Sequence, residues 1–336
     1  VRPEDFAAAA MALQAGAAQV AIAGFPGGLG AAMAAHAALA GGCTGLFLAR
    51  PPLAPGAVIC GASHAPLPGQ RAHAAGIGPT PQAAFARAMG EVAEARALYR
   101  RPDDPRLAAD GRLPVMDAQL RPAGRIAPDG LLRGPVGAAD GTGLGAGPDT
   151  ATAARSARHE AIERHAIALW FAARAPARPL PAPPAALALE AALRGASPAP
   201  RLRYLLLPGA SAGLVVIAAL SAGPWGVIPG YGCAASLAEA ACKAATEAVM
   251  GEFALHLEQR ALHEQGITPP PGGFGARAAL LARRPDLTDP DQGPGPVPGP
   301  DCQPRFAVLS LPGDGLVVLR ALAPGLLVPM GTPGPV

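Results

Sequence analysis

Residues 76–97, GIGPTPQAAFARAMGEVAEARA, and residues 145–166, GAGPDTATAARSARHEAIERHA, align without a gap. Each opens Gly-X-Gly-Pro, continues as an alanine-rich stretch, and carries two glutamates three positions apart: Glu91 and Glu94, then Glu160 and Glu163. In both, the second glycine precedes the first glutamate by thirteen positions, Gly78 to Glu91 and Gly147 to Glu160. A looser copy, GYGCAASLAEAACKAATEAV, sets Gly232 fifteen positions before Glu247. A repeat held in register constrains the fold more than composition does, because each copy must build the same small unit. The unit reads as a glycine loop followed by a glutamate-bearing helix.

Around these units the pattern is mixed. Residues 4–16 read as a helix, QVAIAGF as a strand, and GGLGAAMAAHAAL as glycines leading into helix. A strand is expected at 57–62, the first glutamate helix at 80–99 and a Pro, Asp, Gly and Arg loop over 102–142. The second helix takes Asp149 or Thr150 as its N-cap. A short helix at 184–194 interrupts an extended connection over 174–202, and RYLLLPGASAGLVVIAAL reads as two strands around a turn. The third helix runs to about Gln265, and a proline and glycine linker over 268–304 encloses a helix at 275–283. FAVLSL and GLVVLRAL close the chain as strands. Without regular strand–helix alternation the expected class is α+β, with antiparallel strands. The division expected is a segment 1–54 followed by one domain over 55–336.

Half of the 336 residues are hydrophobic, yet only 4% are aromatic, so the core must be built by close approach of small residues. A net charge of +3, with Lys243 the only lysine, leaves no polybasic stripe for nucleic acid. The uncharged run from Phe6 to Leu48 is too rich in glycine, alanine and glutamine to read as a membrane span. Cys43, Cys60, Cys233, Cys242 and Cys302 form no Cys-X-X-Cys pair and fit a reducing, cytoplasmic setting.

Glutamates three apart on a helix share a face, and two carboxylates so placed repel unless a cation lies between them. Their recurrence at a fixed distance from glycines points to carboxylates converging on Mg²⁺, which completes its shell with water and phosphate oxygens. No Gly-X-X-X-X-Gly-Lys-Ser/Thr motif is present, so phosphate charge must be met by metal, arginine and backbone.

These residues resemble the YcaO family. Its second signature, a glycine loop and a helix ending Glu-X-X-Glu-Arg-Asp-Ala, is matched by GLGAG and EAIERHA. The first, ending Ser-Ala-Leu-Gly-Glu-X-X-Glu-Arg, is matched by GIG and RAMGEVAEA, and the third, ending Glu-X-X-Gln, by GYG and TEAVM. The closing VVLRALAPGLL is similar to the family's last strand and turn, so the resemblance covers residues 55–336. It implies a YcaO-like mixed fold and ATP-dependent phosphorylation of a backbone amide oxygen in a precursor peptide, giving an azoline or a thioamide. It also implies that Glu91, Glu94, Glu160, Glu163 and Glu247 hold Mg²⁺ and ATP, with Arg164 and Arg320 on phosphate. The expected partners are the peptide, a leader-recognition or sulfur-delivery protein, and a second copy in a homodimer. Arg87, Ala95, His165 and Met250 depart from the signatures, and a family member without catalysis, serving as a scaffold, is the alternative. Pro333 and Pro335 make only a partial match to the alternating prolines at the ends of azoline-forming members.

Three other motifs are set aside. GASAG at 209–213 has the spacing of a serine-hydrolase elbow, but LVVIAAL after it is strand-like. His159 and His165, six apart, lack the spacing of a helical zinc pair. The glycines at 27–30 resemble a dinucleotide loop, but no acidic residue follows at the required distance.

Overall fold

The computed structural model describes residues 12, 19–22, 36–134, 139–172, 176–211, 213–269, 273–284 and 303–326. The expected helix at 4–16 (but for residue 12), most of that at 27–39, most of the linker on both sides of its helix, and the closing prolines lie outside the described residues. The chain falls into two compact units, one of residues 1–50, 57–161 and 303–324, the other of residues 51–56, 162–302 and 325–336.

The first unit contains two antiparallel sheets. One runs β1 (Gln19–Ile22), β2 (Cys43–Ala49), β3 (Val58–His64), β4 (Ala72–Gly78), with the short helix α1 (Ala37–Gly41) before β2. The other has the order β6 (Pro122–Ile126), β5 (Leu113–Met116), β12 (Arg305–Val308), β13 (Val317–Leu322), β7 (Leu144–Gly147). Helix α2 (Pro81–Ala97) follows β4 directly, and Phe85, Met89 and Val92 on it are fully buried in a core shared with Leu48, Val58 and Leu113.

In the second unit, β8 (Arg178–Leu180), β9 (Arg203–Leu206), β10 (Val215–Gly223) and β11 (Gly226–Ala234) form a sheet of order β11-β10-β9-β8. Between β8 and β9 stands α4 (Pro184–Arg194), and after β11 comes the long α5 (Leu237–Gln265). Ala240, Ala244 and Ala248 of α5 pack with Tyr204, Ile217 and Ala219 on one face of the sheet. The other face packs Leu205, Val216 and Leu220 with Ile162, Ala166 and Trp170 of α3 (Thr150–Phe171), and with Leu281 of α6 (Phe274–Ala282). Helix α3 gives residues 150–161 to the first unit and 162–171 to the second. A buried ion pair between Arg194 and Glu252, with Nη1 to Oε2 at 2.5 Å, ties α4 to α5.

Named pairings between strands are all antiparallel, in keeping with the α+β reading. The glycine repeats need a correction: they are strands, not loops. Gly76 and Gly78 end β4, Gly145 and Gly147 lie in β7, and Gly230 and Gly232 lie in β11. Strand propensity argues against glycine, and close packing explains it. A Cβ on Gly76 would stand 2.3 Å from Ala84 O and Ala88 N, one on Gly145 2.2 Å from Ala157 N, and one on Gly230 2.1 Å from Ala248 N. Each helix therefore lies with its backbone against the preceding strand, and alanines four apart straddle the glycine.

The helices start where they do because a cap follows each strand. Thr80 Oγ1 accepts from Ala83 N at 3.2 Å, Asp149 Oδ1 from Thr152 N at 2.7 Å, and Ser236 Oγ from Glu239 N at 3.2 Å. Among the described residues no helix is long and apolar enough to cross a membrane.

Candidate functional site

All three glycine strands are outermost in their sheets: β4, β7 and β11. An outer strand has backbone groups with no ladder partner, and in each repeat a helix side chain meets one at the residue between the glycines. Ala146 N donates to Glu94 Oε1 at 2.8 Å. Tyr231 N donates to Glu247 Oε2 at 2.5 Å. In the first repeat the group is the carbonyl of Ile77, which accepts from Arg87 Nη1 at 2.6 Å. Glu247 thus meets the strand of its own repeat, while Glu94 of the first repeat meets the strand of the second.

Within the first unit, Glu94 comes from α2 and is close in charge to Glu91 of the same helix and to Glu160 of α3. Its carboxyl is raised from 4.5 to about 8, first by burial and then by the Glu91 charge, while the Ala146 amide lowers it and Glu160 raises it further. The charges of Glu91 and Glu160 on Glu94 favour a proton or a cation there. In the second unit, Tyr231 is surrounded in the same way. Burial and the Glu247 charge raise its phenol, Glu163 adds to this, and Arg164 and Arg277 oppose it. Glu163 is itself 9% exposed.

Other residues singled out by the sequence sit apart from these contacts. Arg320 on β13 donates to Leu131 O at 3.0 Å and pairs with Asp140 at 3.0 Å. His165 is buried, and its ring edge lies 3.2 Å from where a Cβ of Gly209 would stand, so this departure from the signature is a packing residue. Burial keeps its imidazole below the ordinary histidine range. Lys243 donates to Cys233 O at 3.2 Å and pairs with Glu239. Ser211 is buried in a turn, with Leu214 N donating to its carbonyl at 3.0 Å, and strand β10 follows, which removes the hydrolase elbow.

Among the described residues no group of three or more His, Cys, Asp or Glu side chains is placed to hold a metal ion. The donor set suits Mg²⁺ nonetheless: this ion takes one or two protein carboxylates and leaves its other positions to water and phosphate. Sequence reasoning missed Ala146 and Tyr231, the residues between the glycines, because they act through backbone. Their signal was the Gly-X-Gly pattern itself.

Residues 127–291 match the family model described as YcaO cyclodehydratase, ATP- and Mg²⁺-binding. The chain also shares its fold with YcaO from Methanopyrus kandleri bound with AMPPCP and Mg²⁺, at TM-score 0.64, 17% identity and coverage of 85% of this chain and 86% of that one. Residues 127–291 thus match the YcaO family model, and the fold of the chain is that of YcaO structures. A heterocyclase in complex with substrate and cofactor matches at TM-score 0.58 and 16% identity over 82% of this chain and 48% of that one. The E. coli microcin synthetase McbBCD complex with pro-MccB17 bound matches at TM-score 0.57 and 14% identity over 84% and 88%. No curated protein matches the chain by sequence. The matched segment contains Glu160, Glu163, Arg164 and Glu247, while Glu91, Glu94 and Arg320 lie outside it.

One expectation follows from the raised Glu94 carboxyl. Between about 4.5 and about 8 the folded chain holds a proton that the unfolded chain releases, so this group's contribution to stability is lost as pH rises through that window. The melting temperature should fall from pH 6 to pH 9, and Mg²⁺ should restore more of it at pH 9 than at pH 6. Calorimetric melts of the protein and of Glu94→Gln, in which the slope should flatten, check this. A Mg²⁺ effect equal at both pH values would reject it.

Proposed function

We propose that this chain binds ATP and Mg²⁺ at its repeated glutamates and phosphorylates a backbone amide oxygen in a ribosomally made precursor peptide. The observation that carries the reading is a contact made at two of the glycine strands: a helix glutamate hydrogen-bonded to the amide of an outer glycine strand, with other glutamate charges acting nearby. Carboxylates so crowded gain from a divalent ion. Glu91, Glu94 and Glu160 are the residues to hold one in the first unit, and Glu163 and Glu247 are the residues to hold one in the second. ATP supplies the phosphoryl group, and Mg²⁺ offsets the charge on its phosphate oxygens.

In the reaction the amide oxygen takes the terminal phosphoryl group and ADP leaves. A neighbouring Cys, Ser or Thr heteroatom, or the sulfur of a separate donor, then bonds to the amide carbon, and the oxygen departs as phosphate. The chain's own work is positional, holding the nucleotide against the strand edges. Support comes from the family model's description and from the relative bound with AMPPCP and Mg²⁺. The microcin synthetase likeness, a complex with a peptide bound, suits a precursor-peptide substrate and a partner protein.

A second reading, a family member that binds without turning over, has its own support. His165 is spent on packing against Gly209, and Arg87 on the Ile77 carbonyl, where the family carries Asp and Ser. Calorimetric titration of ATP with and without Mg²⁺ tests the first requirement of the enzyme reading. Micromolar affinity that depends on Mg²⁺ is the expected result, and a folded protein that binds no nucleotide would sink it. Release of ADP on adding a precursor peptide then separates enzyme from scaffold.

A further inference from the structure

Helix α6 brings a cation to the second glutamate cluster from outside the repeats. Its position is fixed at two points. Glu258 of α5 accepts from Phe274 N at 2.8 Å and from Gly275 N at 3.0 Å, which caps the helix start. Further along, Ala278 lies against β11 at Gly226, where a Cβ would stand 2.5 Å from Ala278 O. Leu281 is buried in the hydrophobic cluster against which Tyr231 packs. Arg277 is four residues before Leu281 and therefore shares its side of the helix, one turn nearer the capped end. The Arg277 side chain is exposed.

We infer that Arg277 is a phosphate-binding residue of this site, supplying a second guanidinium beside Arg164 to the triphosphate tail of the nucleotide; the inference rests on the ATP reading above. The charge balance supports it. Tyr231, whose amide donates to Glu247, packs against the same cluster as Leu281, and the charges of Glu163 and Glu247 with those of Arg164 and Arg277 sum to zero. A divalent ion on the carboxylates leaves two guanidiniums in excess, which a polyphosphate satisfies through paired N–H donors. The only lysine is already engaged with Cys233 O and Glu239, so it leaves this task to arginine.

The test titrates Mg²⁺-ATP into the full chain, Arg277→Ala and Arg277→Lys, with a thermal melt of each. Arg277→Ala should bind about tenfold or more weakly at an unchanged melting temperature, and Arg277→Lys should recover part of the loss because it restores charge without the paired donors. The loss should shrink at high salt. Wild-type binding with Arg277→Ala within twofold overturns the inference and leaves the ATP reading standing. If Arg277→Ala melts lower, Arg277→Lys decides: wild-type affinity there, at a wild-type melting temperature, overturns it too. No Mg²⁺-ATP binding by the wild-type chain overturns both.

Discussion

Gly145→Ala should destabilise the protein by about 3 kcal/mol or more, although it adds a single methyl group. The new Cβ would stand 2.2 Å from Ala157 N and 2.6 Å from Ala153 O. Both are backbone atoms of α3, so no side chain can swing aside, and the helix must lift from β7. Gly230→Ala meets Ala248 N at 2.1 Å and should behave alike. Gly90→Ala is the control: inside α2 with nothing within 4 Å of the added carbon, it should stabilise by about 0.5–1 kcal/mol. Urea unfolding of the three variants reads these differences. Equal stability of Gly145→Ala and Gly90→Ala would remove the strand–helix seam on which the site is built.

Glu160→Ala should weaken Mg²⁺-dependent ATP binding at least about a hundredfold, the order expected when a charged ligand is removed from a partly desolvated site. Its effect on folding should run the other way. Glu160 is one of the charges that raise the Glu94 carboxyl, so without it that carboxyl moves back toward its ordinary value and the apoprotein loses a repulsion. Titration calorimetry and a thermal melt of the same sample separate the two effects. Affinity within a few fold of wild type would reject Glu160 as a ligand, and loss of affinity together with a collapsed melt would show a structural role instead.

The helices were legible because their signals are local. Pro184 opens α4 and Gly195 ends it, while Ser236 and Gly266 frame α5, so the expected 184–194 and the end at Gln265 agree with the structure. Strands β4, β7 and β11 were not legible as strands, because glycine belongs to turns by propensity and the reason for it here is a helix up to eighteen residues away in sequence. Strand β2 carries no alternation that distinguishes it from the alanine-rich run before it. The hairpin of β5 and β6 was hidden in a stretch of Pro, Asp, Gly and Arg. Its turn is set by Asp117, which accepts from Gln119 N and Arg121 N, with Leu120 at φ 62°. Of the candidate site, the register of the glutamates is what the sequence displays. The backbone amides they meet were not legible, since an amide leaves no trace in residue type.

The glutamate contacts on outer strands have a consequence for how the molecule behaves in a crowded solution. A strand edge with open amides is a template for a strand from another chain. At β7 and β11 the amide midway between the glycines is already taken by a carboxyl oxygen, of Glu94 or Glu247. A second chain arriving there would have to displace that carboxyl group and leave it without its partner. The side chains that gather a nucleotide in our reading therefore also act as gatekeepers against cross-chain sheet growth, and selection for solubility would hold them in place even in a relative that had ceased to turn over.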